Sequence, residues 1–391
     1  MSNVITSRLG DIINLKRGYD LPERVRKPGP YPVISSAGVS GYHNDYKVEG
    51  QGVVTGRYGT LGEMYFVEGK YWPHNTALYV EDFKGNDPKY VYYLLSCLGR
   101  IRTSDKSAVP GVNRNELHEM AVPVVLDESV QVGVRRVLEV IDSKIELNNR
   151  INAELEEMAR SLYDYWFVQF DFPDANSKPF KTAGGKMVYN SSLKREIPEG
   201  WEVDKVGTIS KTVLGGTPST EVDEYWVNAE IPWLSSAETA SFPVVTSEQK
   251  ITQKGIEKSA ANLLPKGTVV ISIVRYIRPS ILGIDAATNQ SVVGIKECSR
   301  LKSSFIYPYF CSEVPRLMGL RTGAQQPHIN KGIIDESLIV LPPDNILKRY
   351  YEVAEPIFNK VMTLAFEEHK LIKLRDWLLP MLMNGQVTVK I

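Results

Sequence analysis

The sequence predicts an α+β chain of two equivalent strand-rich modules, each followed by a long helix. Two observations carry this. Apolar residues recur at alternating spacings of three and four as Val134, Leu138, Ile141, Ile145, then Leu155, Ala159, Leu162 and Trp166. The pattern returns 216 positions on as Tyr350, Ala354, Ile357, Val361, then Leu371, Arg375, Leu378 and Leu382, and only Arg375 breaks it. Asn148, Asn152 and Leu364 fall on the same stripes. Such spacing is the seam that two long packed helices need. A strand-rich segment of similar length precedes each stripe. Two like modules held apart by helices suit a partner with two equivalent sites at a fixed distance.

The elements follow in order. Residues 1–128 read as short strands and turns, with Gly52–Thr55 and Thr76–Val80 as β-rich runs and a helical stretch around Lys89–Gly99. Pro110-Gly111 marks a turn and Pro123 closes the module. Residues 129–170 carry the first long helix, about 54 Å for the stretch 131–166 at about 1.5 Å per residue. Asn148 and Asn152 at its seam either fix register and partner choice or mark a hydrated weak point. Residues 171–200 form a connector rich in Pro, Gly, Asp and Asn. Residues 201–343 repeat the first module: Val206–Ile209 echoes Leu9–Ile12, and Gly267–Val270 echoes Gly52–Val54. Asn289–Val293 echoes Asn75–Tyr79, Pro327–Asn330 echoes Pro110–Asn113, and a second helical stretch falls near Ile306–Met318. Residues 344–391 hold the second long helix and a tail. Pro356 either kinks it or starts its regular part, Pro380 bends or ends it, and Asn384-Gly385 is a stop signal.

At 391 residues the chain holds two to three domains, and its 43% hydrophobic and 24% charged content is ordinary for a globular protein. The net charge of zero counts mildly against nucleic acid, but basic runs at 16–27, 100–114 and 254–278 soften the objection. A mixed solvated surface explains the same charges. Cys97, Cys298 and Cys311 are widely spaced and odd in number, which suggests a reducing compartment with neither disulfide framework nor zinc site. Met1–Gly10 lacks a signal-peptide core, and no run of apolar residues is long enough to span a membrane. The cytoplasm is the default location.

Catalytic chemistry finds little support. The five histidines share no ligand spacing with cysteines or acids, and no phosphate-binding Gly-x-x-x-x-Gly-Lys-Ser/Thr loop occurs. Gly56, Gly59 and Gly62 read as a tight turn. Binding is better served. Arg57 and Tyr58 follow a strand, as Arg275, Tyr276 and Arg278 follow its counterpart. Gln325, Gln326, His328 and Asn330 form a polar turn fit for base edges, with Asn113 and Arg114 at the comparable place. Lys16, Arg17, Arg24, Lys106 and Lys266 suit phosphates, which position a protein without specifying sequence. Ordinary loop surface explains any one of these residues. The parallel placement in both modules favours the group.

Trp166–Pro173, Lys178–Val188, Ile197–Trp201, Gly216–Ser219 with Tyr225-Trp226 and Ile231–Ser235, and Leu374–Val387 resemble the specificity (S) subunit of type I restriction–modification systems. The resemblance covers nearly the whole chain. It implies two target-recognition domains of mixed β structure with short helices, separated by two long antiparallel helices. Each domain would read half of a split duplex DNA sequence. The helices would set the gap and dock two methyltransferase (M) subunits, and motor-nuclease (R) subunits would join. S-adenosylmethionine would bind the M subunits and no cofactor, metal or catalytic residue is expected in this chain. Arg102, Thr217 and Ser219 complete the candidate DNA contacts. Both modules must approach one face of the duplex, so half-site centres should lie on the order of one helical turn apart. The family's Pro-Pro-Leu-x-Glu-Gln run before each helix is only partly present, as Pro123, Glu128 and Gln131 and as Pro342-Pro343-Asp344. The rival reading is an adaptor whose modules bind protein or glycan, and a third is a self-sufficient nuclease.

Overall fold

The apolar runs set between glycines fold as fully buried strands, and this burial fixes the layering. The computed structural model describes residues 4–57, 63–98, 113–323 and 325–389. It divides into unit 1, Met1–Ile145 with Leu371–Ile391, and unit 2, Glu146–Lys370.

Unit 1 runs β1 (Val4–Arg8), α1 (Leu9–Ile12), β2 (Asn14–Arg17), β3 (Tyr31–Ser35), β4 (Gly38–His43), β5 (Val48–Glu49), β6 (Gly52–Gly56) and β7 (Met64–Val67). It continues with β8 (Lys70–Pro73), β9 (Ala77–Asp82), α2 (Pro88–Cys97), α3 (Arg114–His118), β10 (Ala121–Val125) and the first part of α4 (Glu128–Tyr163). One sheet has the order β2-β9-β6-β7, a second β4-β3-β8-β5 with β3 and β8 parallel, and β1 pairs with β10. Every residue of β6 is buried. Side chains alternate across a strand. Val53 therefore enters the core shared with α2 and α4, while Val54 joins Ile34, Tyr71 and Tyr79 between the sheets.

Unit 2 opens with the rest of α4, then β11 (Met187–Asn190), β12 (Arg195–Pro198), β13 (Glu202–Lys205), α5 (Val206–Ile209), β14 (Thr212–Leu214), β15 (Ile231–Leu234), β16 (Gln249–Ile251) and α6 (Gln253–Glu257). There follow β17 (Val269–Ser272), β18 (Arg278–Ile281), β19 (Ala287–Thr288), β20 (Val292–Ile295), α7 (Ser303–Gly319), α8 (Lys331–Asp335), β21 (Leu338–Leu341) and α9 (Asp344–Met383). The pairings repeat those of unit 1, save that β5 has no counterpart among the described strands: β14-β20-β17-β18, β16-β15-β19 with a parallel β15–β19 contact, and β13 with β21. The alternation repeats as well. Val269 and Ile271 enter the core with α7 and α9, and Val270 the core beneath β15.

Two glycines show how tightly the repeat is built. An added Cβ would fall 2.1 Å from the His74 carbonyl oxygen at Gly18, and 2.1 Å from that of Asn289 at Gly215. Both follow the first strand of their sheet and press on backbone, which cannot yield as a flexible side chain can.

The first long helix runs Glu128–Tyr163 and the second Asp344–Met383. Each unit takes part of both helices into its own core. In unit 1, Val134 and Leu138 pack with Leu382 and Met383. The seam break at Arg375 is answered on α4 by Asp142, 3.2 Å away, which also accepts a 2.6 Å hydrogen bond from the Tyr93 hydroxyl. In unit 2, Asn148 Nδ2 donates to Glu367 at 2.9 Å, and Trp166 lies 5.7 Å from Tyr350. Rising numbers on one helix meet falling numbers on the other, so the pairing is antiparallel.

Leu138, Ile141, Ile145, Asn148, Asn152, Val361 and Leu364 are buried, and Leu155, Leu162, Ile357, Leu371 and Leu378 are half-buried. Pro356 and Pro380 both lie within α9, and the helix stops at Met383, where Gly385 turns left-handed at φ +74°. Gln131 has a packing role at the start of α4. Its buried amide accepts from Asp87 N and donates to Val125 O, tying α4 to the start of α2. Leu347, at the matching place on α9, is buried in apolar surroundings instead. The connector also differs from expectation, since its turn residues flank the antiparallel hairpin β11–β12.

Two outcomes follow from this packing. Gly215→Ala is expected to destabilise unit 2 by about 1–3 kcal/mol through overpacking. Gly319→Ala, where an added Cβ meets nothing within 4 Å, should be neutral or slightly stabilising in matched urea melts. His118 Nε2 accepts the Leu15 amide at 3.0 Å, which needs a neutral ring. Burial, helped by the Arg114 and Lys84 charges, holds its pKa below the ordinary value. The unfolded chain therefore takes up this proton first, and the bond's stabilisation is complete above about pH 6.5 and declines below it. Protection of the Leu15 amide, read by hydrogen exchange between pH 7 and 5, should fall in the wild type and stay nearly constant in His118→Gln.

Candidate nucleic-acid interface

Antiparallel pairing brings alternate strand ends together. In unit 1, the C-terminal ends of β2 and β6 and the N-terminal ends of β7 and β9 share one end of the sheet. Lys16, Arg17, Arg57 and Asn75 gather there. In unit 2, β14, β17, β18 and β20 do the same and assemble Thr217, Ser219, Arg275, Tyr276, Arg278 and Gln290. The same end of the same sheet is polar in both units.

Local bonds shape each cluster. The Arg17 guanidinium reaches the Asn75 carbonyl at 3.4 Å and Asp20 at 3.7 Å, and Asn75 Nδ2 donates to Asp20. The Arg57 amide donates to Thr76 O at 2.9 Å. Lys16 pairs with Glu81 and lies over the Tyr19 ring, whose hydroxyl meets that of Tyr79 at 3.1 Å. In unit 2 the Thr217 hydroxyl donates to Gln290 Oε1, and the Gly216 carbonyl accepts from the buried Trp233 indole at 3.0 Å. Thr217 and Ser219 are thus held exposed by a Gly-Gly pair pressed onto backbone on both sides.

A second segment joins the unit 2 cluster from far along the chain. The Arg275 amide donates to Pro327 O at 2.8 Å, and Ile329 N to Ile273 O at 2.9 Å. Thr322 and His328 exchange two backbone bonds of 2.9 Å. Gln325, Gln326 and His328 are exposed on this segment, next to Arg275 and Tyr276. Arg278 stacks on Tyr276, its guanidinium carbon 5.3 Å from the ring centre.

Several candidate residues stand elsewhere. Lys266 precedes β17 and so sits at the opposite end of the sheet from Arg275. Its amide bonds to Asp285 at 2.7 Å. Arg24 is exposed on the short turn Glu23–Val25, away from the sheet strands. Asn113 and Asn330 are helix N-caps: their side-chain oxygens accept from Asn115 N and Ile333 N. That gives both a structural role, because an unpaired helix amide has a cost that a capping oxygen removes. Arg114 is exposed as the first residue of α3. Tyr58, Arg102 and Lys106 lie outside the described residues, as do Gly59 and Gly62. Sequence reasoning missed Asn75, Gln290 and Arg321. The first two sit in the echoed Asn-containing runs, and their repetition was the available signal. Among the described residues no group of three or more His, Cys, Asp or Glu side chains could hold a metal, and no helix is long and apolar enough to cross a membrane.

The family model of the type I restriction modification DNA specificity domain matches residues 1–157 and 198–374. The chain belongs to this family. The two matched stretches coincide with the two copies of the repeated topology. Among curated relatives of this specificity family, the type I restriction enzyme MjaIX specificity subunit of Methanocaldococcus jannaschii is 26% identical over 77% of this chain and 69% of its own length. The type I restriction enzyme HindI specificity subunit of Haemophilus influenzae is 22% identical over 73% of each. A crystal structure of a type I restriction–modification S subunit from M. genitalium shares the fold, with a TM-score of 0.60 at 14% identity over 97% of this chain and 96% of that one. The α+β architecture of two repeated target-recognition domains and two long helices is therefore that of a specificity subunit.

Asn330→Ala is expected to cost roughly 1 kcal/mol of unit 2 stability through loss of the cap. Asn330→Asp should retain it. Thermal melts distinguish the two.

Proposed function

We propose that this specificity subunit selects a bipartite duplex sequence, the polar sheet end of each unit reading one half. The observation that carries this is the repetition of a polar, solvent-accessible cluster on the same end of the same sheet, exposed in unit 2 and half-buried around an exposed Arg17 in unit 1, by residues far apart in sequence. Arg, Gln and Asn side chains match base edges, and Lys16 suits a phosphate. Asn113 and Asn330 cap short helices, and Lys266 lies at the other end of its sheet.

On this reading the long helices set the distance between half-sites and dock methyltransferase subunits, and R subunits complete the assembly. Exposed apolar residues on the helices support docking: Leu374 and Trp377, three positions apart on α9, are 42% and 57% exposed. Large apolar side chains uncovered on one helix face are typical of partner surfaces. Methylation and cleavage reside in the partners, with S-adenosylmethionine bound by the methyltransferase subunits. The protein acts in the cytoplasm, where the genome it reads is found.

The test exchanges residues 1–128 for the matching module of a related specificity subunit and sequences the sites methylated by the assembled enzyme. One half of the recognised sequence should change and the other persist. A change in both halves overturns the modular reading. Affinity for the specific duplex should also fall steeply with salt, as phosphate contacts release counterions.

A further inference from the structure

Arg275 differs from the other cations of the unit 2 cluster. Its backbone is left-handed at φ +62°, a conformation that side-chain-bearing residues rarely adopt. Such a conformation persists only where its surroundings impose it, and it gathers at functional positions. Here the surroundings are plain. The Arg275 amide donates to Pro327 O at 2.8 Å, and its carbonyl accepts from the guanidinium of Arg321. Arg321 is itself held by a 3.0 Å bond from Nε to the Met318 carbonyl at the end of α7. Both polar groups of the Arg275 backbone are thus clamped by a segment some fifty residues away in sequence.

The side chain is treated in the opposite way. Arg275 is exposed, and among the described residues its guanidinium has no carboxylate or carbonyl partner. Arg278 stacks on Tyr276, and Arg321 is spent on the clamp. The neighbours of Arg275 on the joined segment are the exposed amides of Gln325 and Gln326. A phosphate contact needs only a positive charge within reach. A bidentate contact to a base needs a planar fork held in a fixed direction.

Resting on the half-site reading above, we propose that Arg275 is a specificity-determining residue that reads one guanine in the half-site of unit 2, with Arg321 as its positioning residue. The fork would donate two hydrogen bonds to the guanine O6 and N7 acceptors in the major groove. Arg321 holds the backbone from which the fork projects and touches no base.

The experiment uses the complete complex with its methyltransferase subunits and a duplex pool randomised over both half-sites, read by sequencing of methylated products at several salt concentrations. Arg275→Lys and Arg275→Gln should lose roughly ten- to hundredfold discrimination at one guanine position, with other positions and the salt slope unchanged. Arg275→Gly, whose backbone accepts positive φ without strain, keeps the loop and should show the same loss, which assigns it to the guanidinium. Arg321→Gln should weaken discrimination at that same position, and Arg321→Lys, which can still donate to the Arg275 carbonyl, should restore part of it. A uniform loss across all sequences with a salt slope reduced by about one makes Arg275 a phosphate contact and overturns the proposal. So does an unchanged preference. A wild-type complex with no sequence preference overturns the half-site reading itself, a distinct result from a specific wild type with indifferent Arg275 variants.

Discussion

Burying both faces of one short strand in each unit constrains the rest of the chain. Val53 and Val54, like Val269 and Val270, point to opposite sides, so each central strand needs an apolar layer above and below it. One layer is the second sheet. The other comes from helices that are distant in sequence, α2 with α4 in unit 1 and α7 with α9 in unit 2. With both faces covered, solvent reaches the sheet at its ends, where strands turn into loops. Those ends are where the polar clusters are found.

The same constraint explains the long helices. A seam of apolar residues at alternating spacings would suit a free strut, but here its outer turns complete the cores of the modules. Tyr350 and Ala354 are fully buried among the aromatic rings of unit 2, as Leu138 is in the core of unit 1. Polar residues interrupt the seam and are answered across it: Arg375 by Asp142, and Asn148 by Glu367. Partly buried pairs of this kind add little net stability, because desolvation opposes attraction, but a misaligned seam would leave them unpaired. They therefore favour one register of the helix pair.

Function and scaffold divide along these lines. Buried strands, caps and glycine contacts are nearly the same in the two units, because they solve the same packing problem. The exposed side chains differ. Unit 1 offers an exposed Arg17 beside half-buried Lys16, Arg57 and Asn75, whereas unit 2 offers exposed Thr217, Arg275, Arg278 and Gln290. A constant frame with variable loop ends lets the accessible side chains differ while the packing stays the same.

Much of this was legible in the sequence, because it rests on local regularities. Seam spacing, buried apolar runs, turn residues and their return at a fixed offset are all properties of short windows, and the motifs at 166–201, 216–235 and 374–387 were specific enough to point to the family. Asn113 and Asn330 looked like base readers because an asparagine in a turn is equally suited to capping, and only helix geometry separates the two roles. Lys266 and Arg275 sit in one basic run, yet a four-residue strand places them at opposite ends of the sheet. Arg321 gave no local signal, since its role depends on a carbonyl in another loop. The sequence by itself determined the duplication, the helix pair and the family, because periodicity is encoded residue by residue. The tertiary structure decided which side chains share a surface, because contacts between distant loops depend on how strands pair.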